Sequence, residues 1–118
     1  MPNDEAFSLQ WHYPLIGLTD AWDTTTGDEN VVVAVIDTGI LPDHPDLQGQ
    51  FVDGYDFVRD AGNAADGNGI DPDPTDPGDI QGNGSGFHGS HVTGTVVARG
   101  NNGRGVAGVA YTSKVIPI

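Results

Sequence analysis

The sequence predicts an α/β fold, a parallel sheet flanked by helices, and three observations carry that expectation. Val31 to Ile36 is a run of six consecutive apolar residues, mostly β-branched, the composition of a strand buried on both faces. His88 to Ala98 reads as a helix rich in small residues. The run "SKVIPI" at 113–118 is a second apolar, β-rich segment that follows it. Apolar strands separated by a helix are the pattern of parallel pairing.

Residues 4–30 are mixed in character, with Pro14 and Thr19 suited to open short helical turns and "DTTTGDEN" at 23–30 suited to a loop. After the first strand, "LPDHPDL" at 41–47 carries two prolines and reads as a turn-rich connection. Phe51 to Val58 alternates enough to predict a further strand. Residues 60–86 then hold six Asp, seven Gly and three Pro with no base, which predicts an acidic insert without regular structure. In the helix, Gly89 and Gly94 each disfavour the helical state by up to about 1 kcal/mol relative to alanine, so close packing is the expected compensation. "GNNGRGVAG" at 100–108 is a tight glycine-rich loop leading into the closing strand.

Composition excludes several classes of function. Seventeen acids against four bases give a net charge of −13, so no basic patch is available for phosphates, and neither nucleic acid nor an anionic membrane surface is an expected partner. Fifteen of those acids are aspartate, a residue of turns, caps and hard-cation sites, although part of the charge serves as a solubilising surface. There is no cysteine, and no apolar run long enough to span a bilayer. "MPNDEAF" lacks the basic region and apolar core of a signal peptide. The chain ends on an apolar β run with no turn or polar tail, which predicts continuation within a larger domain.

Asp37 follows directly on the first strand, where functional carboxylates of α/β sheets lie, though an aspartate there can also do no more than cap the turn with Thr38 and Gly39. The "DTG" it opens invites an aspartic-protease reading, but a second copy is absent, and "HPDL" and "HGSHVTGT" would go unexplained. His88 and His91 are spaced to share a helix face. With Asp37 they could ligate a metal, but a HxxH pair alone is weak evidence for zinc. The alternative makes His88, at the head of the helix, functional and turns His91 inward among Val92, Thr95 and Val96 as a packing residue. An aspartate and a histidine are two of the three groups that activate a serine nucleophile. None of Ser8, Ser85, Ser90 and Ser113 has the setting of that third group.

"VVVAVIDTGILPDHPDL" and "HGSHVTGTVVA" resemble the aspartate and histidine motifs of the subtilisin superfamily, and "NNGRGVAGVA" resembles the loop that follows them there. The resemblance runs in order through nearly the whole chain. It implies a subtilisin-like peptidase domain of which residues 1–118 are an incomplete, N-terminal portion, carrying the insert at about 60–86. It also implies a secreted serine endopeptidase acting on protein or peptide substrates. Asp37 would orient His88, and His88 would act as general base on a serine beyond position 118, with the oxyanion asparagine also in the remaining C-terminal part. Ser90 stands where the family commonly has threonine. The 118-residue chain alone is then expected to be inactive.

Calcium is the cofactor that the resemblance implies. Carried over by position, its ligands would be Asp4, Asp46, the Asn102 side chain and the carbonyls of Gly100, Arg104 and Val106, unless Asp46 and Asn102 only cap turns. Asp66, Asn68, Asp71 and Asp73 have the alternating oxygen spacing of a second calcium loop, without the final glutamate of an EF-hand. A solvated, flexible insert is the competing reading. A non-catalytic calcium-binding module that merely keeps the fold is the rival from another class.

Overall fold

The computed structural model describes residues 1–78 and 86–118. Its elements in order are a 3₁₀ turn at Phe7–Leu9, helices α1 (His12–Leu15) and α2 (Leu18–Ala21), strand β1 (Val32–Val35), helix α3 (Ala61–Ala64), helix α4 (His88–Val97) and strand β2 (Lys114–Pro117). β1 and β2 pair in parallel, with Val33 opposite Val115 and Val35 opposite Pro117. The expected strand–helix–strand unit is present. Its core is Val35, Val97 and Val115, with Val33, Val92 and Val96 packed around them.

Two expectations about the sheet are corrected. β1 is not buried on both faces: α4 covers the side bearing Val33 and Val35, while Val32 is 46% exposed and Ile36 79%. Phe51 to Val58 does not form a strand, although it follows the free edge of β2. Val115 N–H donates to Gln50, Val52 N–H to Val115, and Tyr55 N–H to Pro117, leaving only a single bridge, Phe51 to Val115. The reason is Pro117. Alternate residues of β2 face alternate neighbours, so the next donor toward residues 51–58 would be the N–H that proline lacks.

The face that α4 turns inward is Gly89, Ser90, Thr93 and Val97, small residues that let the helix lie close to the sheet. Its last turn leaves carbonyls without intrahelical partners. Val109 N–H donates to Thr95, Ala110 N–H to Val96, and the Gln50 side chain to Val97 at 2.5 Å. The same Gln50 amide reaches Tyr111 O at 2.7 Å, so one buried side chain ties the helix end to the segment that leads into β2.

The N-terminal segment is anchored to the loop at the far end of the chain. Ala107 N–H donates to the Gln10 side chain at 3.0 Å, and Gln10 returns a bond to Ala107 O at 2.9 Å. Fully buried Tyr13 donates its hydroxyl to the same carbonyl at 2.6 Å, and Trp22 donates to Val109 O. Short helical turns do occur near Pro14 and Thr19, starting at His12 and Leu18. The acidic insert is more ordered than expected over its described residues. Asp60 caps α3 through the N–H groups of Gly62 and Asn63, Asp71 pairs with Asp56, and Thr75 bridges to Ile40.

The two kinds of glycine beside α4 separate on substitution. A Cβ on Gly108 would lie 2.6 Å from Val97 Cα, so Gly108→Ala should destabilise by about 1–3 kcal/mol through overpacking. A Cβ on Gly94 meets nothing closer than Ala98 Cβ at 4.0 Å, so Gly94→Ala should raise stability by up to about 1 kcal/mol. Urea melts of the two variants check the opposite signs.

Candidate active site

Asp37 sits one residue past Ile36 at the end of β1, and its backbone N–H donates to Ile118 O at 3.0 Å, so the sheet itself fixes its position. His88 is the first residue of α4. The structure brings the two together: His88 Nδ1 lies 2.8 Å from Asp37 Oδ1. Thr38 N–H donates to the same oxygen at 2.8 Å. The carboxylate is 17% exposed and the imidazole 52%, which leaves the ring open to solvent.

The hydrogen bond from His88 holds the Asp37 carboxyl below its ordinary pKa; partial desolvation opposes this and the Thr38 N–H assists. At neutral pH the carboxylate is therefore ionised and can only accept. That assigns the tautomer. Nδ1 of His88 carries the proton shared with Asp37, and in the neutral ring Nε2 presents a free lone pair.

A second layer of contacts, which the motifs alone did not reveal, sets this geometry. α4 has no side-chain cap of its own, because its N-cap residue is Phe87, held in the left-handed region at φ 56°. The cap comes from the Asp37 loop: Gly89 N–H donates to Thr38 Oγ1 at 2.9 Å. In return, Ser90 Oγ accepts Leu41 N–H at 2.8 Å. A Cβ on Gly89 would collide with the Gly39 carbonyl, so only glycine permits this approach. The signal that could have found these contacts is the pair of small hydroxyl residues, Thr38 and Ser90, one beside each motif centre.

His91 is corrected. It is exposed, because the inward face of α4 is taken by Gly89, Ser90, Thr93 and Val97, and Val92 and Val96 are only partly buried. With His12 and His44 it lines a groove of about 530 Å³. Among the described residues no group of three His, Cys, Asp or Glu side chains is placed to hold a metal, so Asp37, His88 and His91 do not form a metal centre. Of the serines, Ser90 and Ser113 are buried with their oxygens accepting backbone N–H groups, Ser8 is exposed, and Ser85 lies outside the described residues.

The first expected cation site assembles in part. Asp4 and Asp46 are both buried and both face the 101–106 loop. Asp4 accepts the N–H groups of Asn101 and Asn102 at 2.8 and 3.2 Å. Asp46 accepts the Asn102 side-chain amide at 2.6 Å and Val106 N–H at 3.0 Å. Asn102 turns its oxygen to Arg104 N–H at 2.8 Å. Among the described residues the sole ion pair is His88 with Asp37, and no donor reaches the carbonyls of Gly100, Arg104 or Val106. Two buried carboxylates without a cationic partner, beside three free carbonyls, suit a hard cation.

The second site does not assemble. Asp66, Asp71 and Asp73 each turn an oxygen back onto the N–H two residues on, those of Asn68, Asp73 and Thr75. These are Asx turns. Asp66, Asn68 and Asp73 are exposed, and the alternating spacing reflects consecutive turns rather than convergence on one point.

Known proteins resemble this chain in sequence and in fold. The Subtilase family model matches residues 28–118. The chain is 46% identical over 134 residues to an extracellular basic protease of Dichelobacter nodosus, covering 99% of this chain and 22% of that protein. It is 45% identical over 131 residues to an extracellular protease of Xanthomonas campestris pv. campestris, again covering 99% and 22%. A solved structure of proteases from Pseudoalteromonas arctica superposes with a TM-score of 0.88 at 48% identity, covering 98% of this chain and 38% of that one. The chain therefore spans about a fifth of the length of these two relatives.

The lowered pKa of Asp37 has a thermodynamic sign. Its bond to His88 contributes stability that is fully present above the ordinary aspartate value of about 3.9 and is lost as pH falls through the lower folded-state value. Asp37→Asn should therefore flatten the acid limb of the stability–pH curve below about pH 4. Denaturant melts of wild type and variant over that range measure it, and superimposable acid limbs would contradict the assignment.

Proposed function

The chain belongs to the subtilase family, and on that premise we propose that it supplies the general-base half of a secreted serine endopeptidase. The single observation that carries this is the 2.8 Å bond between His88 Nδ1 and an ionised Asp37. It leaves Nε2 as the free base in a ring that is half exposed. In this reading His88 Nε2 takes the proton of a serine hydroxyl supplied by the remainder of the domain as that oxygen attacks the scissile carbonyl. The imidazolium so formed is stabilised by Asp37 and gives its proton to the leaving amine. A water activated by the same nitrogen then releases the acyl group. Secretion is supported by the two relatives whose names describe extracellular proteases.

The reading includes a calcium ion held by Asp4, Asp46 and Asn102 with the carbonyls of Gly100, Arg104 and Val106. The free carbonyls and the buried carboxylates without a cationic partner support it. When bound, the ion supplies no chemistry to the reaction: it cross-links the first residues of the chain to the 100–106 loop. Asp4 and Asp46 would hold that loop by charge as well as by their present hydrogen bonds.

In the full-length protein, His88→Ala should abolish peptide hydrolysis with folding intact, and the expected loss is on the order of 10⁶ in kcat, the magnitude known for subtilisin itself. Undiminished turnover would end the protease reading. His91→Ala, at an exposed position, should leave both stability and rate nearly unchanged.

Calcium should stabilise the full-length protein by about 2.7 kcal/mol at 100 times its Kd. Asp46→Ala should remove most of that gain. Thermal melts with calcium and with chelator, for wild type and variant, check both statements. A melting temperature indifferent to chelator would remove the ion from the reading without touching the catalytic pair.

A further inference from the structure

Asp76 lies in the acidic insert, 38 residues from Thr38 in sequence, yet it is only 6% exposed. Its Oδ2 accepts the Thr38 hydroxyl at 2.7 Å, and its Oδ1 accepts Gly78 N–H at 2.7 Å. Its backbone is fixed as well: Asp76 N–H donates to Ile40 O, and Ile40 N–H donates to Pro74 O, so the insert is laced to the loop that follows Asp37. Phe87, the residue before His88, meets the insert too; a Cβ on Gly78 would lie 3.2 Å from its ring.

The direction of these bonds matters. A hydroxyl has one proton and two acceptor sites. Thr38 spends its one proton on the hydrogen bond to Asp76 Oδ2, which leaves the Thr38 oxygen free to receive Gly89 N–H. Thr38 is the neighbour of Asp37 and Gly89 is the neighbour of His88. One hydroxyl thus joins the residue after the carboxylate to the residue after the base, and Asp76 sets which way that hydroxyl points. Without Asp76, Thr38 is free to rotate its proton toward the helix end, where it would oppose the Gly89 donor.

We propose that Asp76 is a positioning residue for the Asp37–His88 pair, acting through the Thr38 hydroxyl, and that the acidic insert is thereby part of the catalytic apparatus. This rests on the protease reading above. Asp76 touches no reacting atom, so its effect is on the placement of the ring and shows in kcat rather than in substrate binding. A displacement of about 1 Å in a reacting group can lower a rate by up to about 100-fold.

The test uses the full-length enzyme and a peptide substrate, with His88→Ala alongside. Asp76→Ala should lower kcat about tenfold or more with KM nearly unchanged. Asp76→Asn keeps a single acceptor oxygen, which can serve Thr38 or Gly78 N–H but not both, and should recover part of the rate, which a purely structural role for the charge would not predict. Thr38→Val, which also removes the acceptor of Gly89 N–H, should lose at least as much as Asp76→Ala, and the double variant should lose no more than Thr38→Val alone, because Asp76 acts only through that hydroxyl. Should Asp76→Ala fail to fold, Thr38→Val and Asp76→Asn carry the same comparison. An unchanged kcat in Asp76→Ala or Thr38→Val, or losses that multiply in the double variant, overturns the proposal. If His88→Ala also retains its rate, the protease reading falls with it; if His88→Ala is inactive, the positioning role of Asp76 alone is lost.

Discussion

The arrangement depends on how closely the head of α4 approaches the end of β1. The backbone of Gly89 rests against the Gly39 carbonyl with no room for a side chain between them. At that separation short side chains suffice to cross from one element to the other. Thr38 reaches Gly89 N–H, Ser90 reaches Leu41 N–H, and His88 reaches Asp37. Move the helix outward by the thickness of a methyl group and all three bonds lengthen together. The geometry of the Asp37–His88 pair is thus a consequence of backbone packing, and the two side chains occupy positions already defined by it.

Much of this is legible in the residues, for local reasons. A carboxylate directly after an apolar β-branched run and a histidine at the head of a small-residue helix are positions that the chain geometry itself defines. His91 misleads because its sequence neighbours, Val92, Thr95 and Val96, are mostly apolar, whereas helix burial follows the face, and the inward face carries Gly89, Ser90, Thr93 and Val97. Small polar residues mark the buried side, since close approach to a sheet selects for size ahead of apolarity. The strand expected at 51–58 fails on a single missing donor at Pro117, more than fifty residues away, which no local pattern could indicate.

The abundance of aspartate has a common explanation at many of its positions. Asp28, Asp56, Asp60, Asp66, Asp71, Asp73 and Asp76 each accept a backbone N–H two residues on. Their composition resembles that of cation loops because both uses demand short side chains with exposed oxygens. What separates them is convergence. Asp4 and Asp46 come from distant parts of the chain, are buried, and address one loop; Asp60, Asp66, Asp71 and Asp73 of the insert address their own backbones. Asp76 differs from the other described aspartates of the insert in being buried and in reaching across to Thr38.

The anchoring of Gln10 to Ala107 bears on the order in which this chain can fold. The two residues are 97 apart, and Asp4 and Asn102 are 98 apart. Bringing together ends separated by about 100 residues carries a length-dependent entropic penalty of roughly 4 kcal/mol, before any bond is formed. During synthesis the first dozen residues have no docking partner until the ribosome has passed the 100–108 loop. Tyr13, fully buried in the folded chain, must wait unseated while β1 and then α4 emerge. The sheet waits for the same late segment, since β1 pairs Val32 with Lys114, and the shortest-range contacts within the strand–helix–strand unit, those of α4 with β2, are the natural nucleus. The N-terminal anchor and the sheet thus both depend on residues 101–118, and neither can form before that segment exists.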